Sequence, residues 1–115
     1  MGKKLSTANL EAGYPTVEAA LKHLSFEIRH ARSVGCPVLK VIHGYGSTGT
    51  GGKIRTAVRR RLWEMQVKKQ VKAVIAGEDF SIFDENTRLA FQLCGELRRD
   101  SDLERRNQGI TLIVL

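Results

Sequence analysis

The residues most able to do chemistry lie between His43 and Lys53, where Gly44, Gly46, Gly49, Gly51 and Gly52 crowd a short stretch ahead of a basic run. Glycine lets the backbone approach an anion closely, and the amides of a following helix N-terminus point at it, so phosphate is the natural ligand. A nucleoside-triphosphate loop would need G-x-x-x-x-G-K and then Ser or Thr. Ser47 stands where its first glycine belongs, and Ile54 follows Lys53 in place of a magnesium-binding hydroxyl. Gly44-Tyr45-Gly46-Ser47-Thr48-Gly49 does match G-x-G-x-x-G. However, the helix is expected to start well after the third glycine, and no acidic residue ends the next strand at the usual spacing, which leaves a small-molecule nucleotide site as the weakest reading.

The remaining reactive side chains are scattered. His23 and His30 are one heptad apart on one helix side, too distant for an i,i+4 metal grip, and are expected to be solvated. Arg59-Arg60-Arg61 with Trp63 offers either a guanidinium and stacking surface for nucleic acid or a solvated helix face with Trp63 packed inward. Cys36 and Cys94 are far apart, which excludes a zinc ribbon and a disulfide scaffold and favours buried thiols.

Lys and Arg number 19 against 12 Asp and Glu, a formal charge of +7, and the pI is near 9.9. That excess favours polyanionic partners. No run of apolar residues is long enough for a membrane span, no apolar signal region follows the start, and Met1-Gly2-Lys3-Lys4 lacks the Ser or Thr of a myristoylation signal. A soluble, cytoplasmic protein with no membrane partner is expected.

The elements that must position the loop follow from periodicity. Leu5 to Leu10 reads as a short strand, and Gly13-Tyr14-Pro15 as a break. Thr16 caps a helix to about Val34, with Val17, Ala20, Leu21, Leu24, Ile28 and Ala31 on one face. Gly35 stops that helix and Pro37 blocks its continuation. Val38–Ile42 reads as a buried strand. A second helix is expected from Lys53, with Ile54, Ala57, Val58, Leu62 and Met65 inward, Arg55, Arg59 and Arg60 on other faces, and Arg61 on the apolar side. Val71–Ala76 reads as a strand, Asp84 to about Arg98 as a helix, Arg98–Arg106 as an exposed charged run, and Ile110–Leu115 as a closing strand. The order implies one α/β domain over residues 1–115, a compact two-layer sandwich of helices on a mixed four-stranded sheet.

Val41-Ile42-His43-Gly44-Tyr45-Gly46, followed by Gly51-Gly52-Lys53-Ile54-Arg55, resembles the second signature of the Smr (small MutS-related) family: a strand, His-Gly-x-Gly, and a Leu-Arg-like pair opening a helix. Residues 16–21 resemble the family's first helix and Gly109–Leu115 its last strand, so the resemblance covers most of the chain apart from a helical insertion near residues 82–104. The loop before Lys53 is longer than usual for the family. The nearest text to the family's first signature, Leu-Asp-Leu-His-Gly, is Ala8-Asn9-Leu10-Glu11-Ala12-Gly13, with Asn9 near the place of the acid and Glu11 near that of the histidine.

The resemblance implies a fold similar to the C-terminal domain of translation initiation factor three, in a stand-alone member of the family. It implies DNA or RNA as partner, the ribosome among the candidates, and strand nicking as a candidate activity. In an endonuclease His43 would be the acid/base, Glu11 a base or a ligand to a divalent metal, and Gly44, Gly46, Gly49, Gly51, Gly52, Lys53, Arg55, Arg59 and Arg60 the phosphate-binding set. The competing reading is a binding module for RNA or the ribosome without catalysis, favoured by the altered first signature.

Overall fold

The computed structural model describes residues 4–45 and 50–115. Strand β1 (Leu5–Asn9) leads through helix α1 (Val17–Ser33) to strand β2 (Val38–Ile42), and β1 pairs with β2 in parallel, Asn9 opposite Ile42. Helix α2 (Thr50–Val67) and strand β3 (Ala73–Ala76) follow, then helix α3 (Glu85–Leu93), a 3-10 segment (Gly95–Arg99) and strand β4 (Ile110–Val114). The sheet order is β1-β2-β4-β3, with β4 antiparallel to both neighbours. This is the expected α/β fold with a mixed four-stranded sheet.

The expected caps position α1. Thr16 accepts a hydrogen bond from the Ala19 amide at 3.1 Å, and Gly35 takes φ +77° just beyond the helix. Its buried residues Ala20, Leu24, Ile28 and Ala31 meet Ile54, Val58 and Leu62 of α2 over one face of the sheet, where Leu39, Val41, Val74 and Ile113 point. Burying each such Leu or Ile side chain contributes ~2 kcal/mol. Arg61 lies half-buried in the seam with α1, beside Val17, Glu18 and Leu21.

The opposite face is covered as well. Val38, Ile75, Leu112 and Val114 pack against Phe80, Ala90, Phe91, Cys94 and Leu97, so residues 77–106 add a third layer to the expected sandwich. Asp84 caps α3 as expected, accepting from the Thr87 amide. The helix stops at Leu93, short of Arg98, because Cys94 turns extended (φ −145°, ψ 91°). Nor is the run Arg98–Arg106 simply exposed. Asp100 and Asp102 turn inward onto Lys40, whose side chain crosses the same face from β2. Burial opposes the charge on Lys40, but hydrogen bonds to Asp102 and Asp100 outweigh it and hold the amine pKa above its ordinary value.

Candidate nucleic-acid interface

The parallel strands β1 and β2 end side by side, and Glu11, His43 and Gly44 of the expected site lie just beyond their ends. Beyond Ile42, the amides of His43 and Gly44 both donate to the Gly109 carbonyl, at 2.9 and 3.0 Å, in the turn that enters β4. Gly44 holds φ +80°, a conformation that disfavours side chains. Against it rests the Glu11 carboxylate, whose Oε1 lies 2.6 Å from where a Cβ on Gly44 would stand. Asn9 sets this placement: its Oδ1 accepts from the amides of Glu11 and Ala12, turning the chain after β1. The structure thus brings Glu11 onto Gly44, next in sequence to His43, and Asn9 serves the backbone.

The His43 ring is fully buried beneath this turn. Its Nδ1 lies 3.0 Å from the Gly44 carbonyl, which can only accept, so Nδ1 carries the proton. Its Nε2 lies 2.8 Å from the Thr111 hydroxyl, which also accepts from Arg59 Nε at 3.1 Å. With Arg59 occupying one lone pair, the Thr111 hydroxyl proton goes to His43 Nε2, and a neutral histidine satisfies every partner. Burial pushes the His43 pKa down to about 4; the bond to the Gly44 carbonyl opposes the shift, while the Arg59 and Arg55 charges reinforce it.

The folded protein therefore takes up this proton less readily than the unfolded chain, where a histidine titrates near ~6.5. The corresponding stability is complete above pH ~6.5 and is lost, by ~3 kcal/mol, as the pH falls from there to about 4. Urea unfolding of the wild type at pH 7, 5.5 and 4 should show this loss, and His43→Asn should flatten it. A wild type equally stable at pH 7 and pH 4 would contradict the assignment.

Arg59 does not project outward as the helical pattern predicts. It is 7% exposed. Its Nη1 and Nη2 donate to the two carboxylate oxygens of Glu78 at 2.9 and 2.8 Å, and Nη2 also reaches the Ile110 carbonyl at 3.1 Å. With Nε on Thr111, four of the five guanidinium N–H groups are held from within the protein, which turns the side chain inward rather than towards solvent. Its hydrogen bonds in turn hold the Glu78 carboxyl below the usual range. Glu78 and Thr111 were not legible as site residues, although Thr111 carried a signal as the polar residue in an otherwise apolar strand.

Helix α2 starts at Thr50, three residues before the expected start at Lys53, so Gly51 and Gly52 belong to its first turn. That turn contains no acidic residue, and a helix start carries the positive end of the helix dipole. Lys53 and Arg60 are exposed, while Arg55 is half-buried and donates to the Gln108 side chain at 3.1 Å. Trp63 is exposed on the outer side of the helix. Gly46 and Gly49, expected to bind phosphate, lie outside the described residues. Among the described residues no group of three His, Cys, Asp or Glu side chains gathers that could hold a metal ion. His23 pairs with Glu27 at 2.9 Å, His30 stacks on Phe26, and both histidines are exposed. Cys94 is buried, Cys36 partly so. No described helix is long and apolar enough to cross a membrane.

A family model described as Smr domain matches residues 13–79, from the turn before α1 to the end of the segment after β3. Among solved structures, the Smr domain of Thermus thermophilus MutS2 superposes with a TM-score of 0.55 at 20% identity, covering 97% of this chain and 96% of that one. At that identity the likeness is one of fold. No curated protein matches the chain.

Proposed function

The chain belongs to the Smr domain family, and from that premise we propose that it binds nucleic acid through the first turn and outer face of α2, with His43 in a structural role. The observation that carries this reading is the contrast within one helix. Arg59 is locked into the core by Glu78, Thr111 and Ile110, whereas Lys53 and Arg60 stand exposed beside an acid-free helix start. Amides of Gly51, Gly52 and Lys53 can receive one phosphate, and the two side chains can neutralise its neighbours. Arg55, tethered to Gln108, borders the same turn.

Acid/base catalysis by His43 would require the ring to leave Thr111 and the Gly44 carbonyl and reach solvent. Buried, neutral and bonded at both nitrogens, it supports the loop instead. Strand cleavage keeps one supporting observation, the exposed Glu11 carboxylate against Gly44, where a base could meet water beside a bound phosphate. As a fixed negative charge, Glu11 also repels phosphate from Gly44.

The test is polarisation of labelled DNA and RNA over a salt series. Lys53→Ala and Arg60→Ala should each weaken binding several-fold, lower the salt slope by about 1, and leave the melting temperature unchanged. Unchanged affinity in both variants would sink the proposal. Glu11→Gln separates binding from cleavage. Tighter binding by a few-fold, with the nucleic acid intact in wild type and variant alike, supports the binding module; cleavage by the wild type that vanishes in Glu11→Gln replaces it with a nuclease.

A further inference from the structure

We infer that the outer face of α2 stacks an unpaired nucleobase on Trp63, so that the domain prefers single-stranded segments to duplex. This rests on the nucleic-acid-binding reading and names the form of strand it takes.

Thr56, Arg60, Trp63 and Val67 follow one another at spacings of four, three and four residues, so they form a single stripe along the helix. With Glu64 and Lys68 they line an open groove of about 450 Å³. A second depression shares Thr56 and Arg60 with it and continues to Gly52 and Lys53. The two depressions therefore adjoin at Thr56 and Arg60, between the helix start, where phosphate is expected, and the indole. Trp63 is 48% exposed and Val67 82% exposed. The core face of α2 already uses Ile54, Val58 and Leu62, and among the described residues Trp63 and Val67 belong to neither core cluster.

The occupant follows from charge. Lys53, Arg60 and Lys68 border the two depressions, against Glu64 alone. A second copy of the chain docked through this face would oppose cation to cation, and an apolar helix would leave those cations desolvated without partners. A nucleotide strand supplies both components, a flat apolar base for the indole and phosphates for the cations. Stacking on an aromatic surface requires a base free of its own stack, which duplex does not present and single strands, loops and bulges do.

Trp63 is the one tryptophan of the chain, so its fluorescence reports the contact directly. Oligo(dU) and oligo(U) should quench Trp63 emission in step with binding measured by polarisation, and the two arms show whether the sugar matters. Trp63→Ala should lose about tenfold in affinity for these strands, Trp63→Phe should recover most of it, and both should bind blunt duplex like the wild type. Two results would overturn the inference: single strands that bind with no change in Trp63 emission, or Trp63→Ala weakening duplex as much as single strands. Either leaves the broader proposal standing; absence of binding to any nucleic acid removes both.

Discussion

Arg59→Leu is expected to destabilise the domain by ~3 kcal/mol, while Arg60→Ala, one residue along the same helix, stays within about 0.5 kcal/mol of wild type. Leucine fills part of the space of the Arg59 stem but leaves the Ile110 carbonyl and the Thr111 hydroxyl without their donor and Glu78 without its cation. Glu78 remains partly exposed, so water recovers some of its loss, and this holds the cost to the lower end for a broken buried pair. Urea unfolding at neutral pH measures both variants. In binding assays the order reverses: Arg60→Ala weakens nucleic-acid affinity, and any Arg59→Leu protein that remains folded binds like wild type. Equal stability of the two variants would mean that the Arg59 network contributes nothing to the fold.

Gly77→Ala should be still more damaging, at about 4 kcal/mol or more, and should yield little folded protein. A Cβ there would stand 1.8 Å from the Asn107 carbonyl oxygen and 2.8 Å from the Ile110 carbonyl oxygen. Both are backbone atoms, so the clash cannot be relieved by turning a side chain. The close approach has a purpose in the site. It carries the chain from the end of β3 past the entry to β4, which brings Glu78 within reach of Arg59 and so secures Thr111 and His43. Circular dichroism and urea unfolding of Gly77→Ala beside Gly95→Ala, where a Cβ meets nothing within 4 Å, isolate the effect. A Gly77→Ala protein as stable as the Gly95→Ala control would contradict the packing described.

Much of the fold was legible because it follows from local rules. The apolar spacing of α1 and α2, the caps at Thr16 and Asp84, and the left-handed stop at Gly35 all need only nearby residues. The start of α2 was misplaced because Gly51 and Gly52 are poor helix formers, and their cost is offset by the packing of Ile54, Val58 and Leu62. Arg59 was read as an outward cation because a helical pattern assigns charge to solvent. Its acceptors arrive from β4 and the segment after β3, which no local window includes. The inward turn of Asp100 and Asp102 has the same origin, although Lys40 set among apolar strand residues hinted at a buried partner. In the site, the convergence of Glu11 with Gly44 depends on β1 and β2 lying side by side in parallel.

Nucleic acid is expected to meet the first turn and outer face of α2. Amide chemical-shift mapping of the labelled protein, titrated with a short single-stranded oligonucleotide, locates the contact residue by residue. Perturbations should concentrate on Gly52, Lys53, Thr56, Arg60, Trp63 and Lys68, with α3 and the 3-10 segment after it unmoved. Perturbations centred on α3, with α2 silent, would contradict that placement.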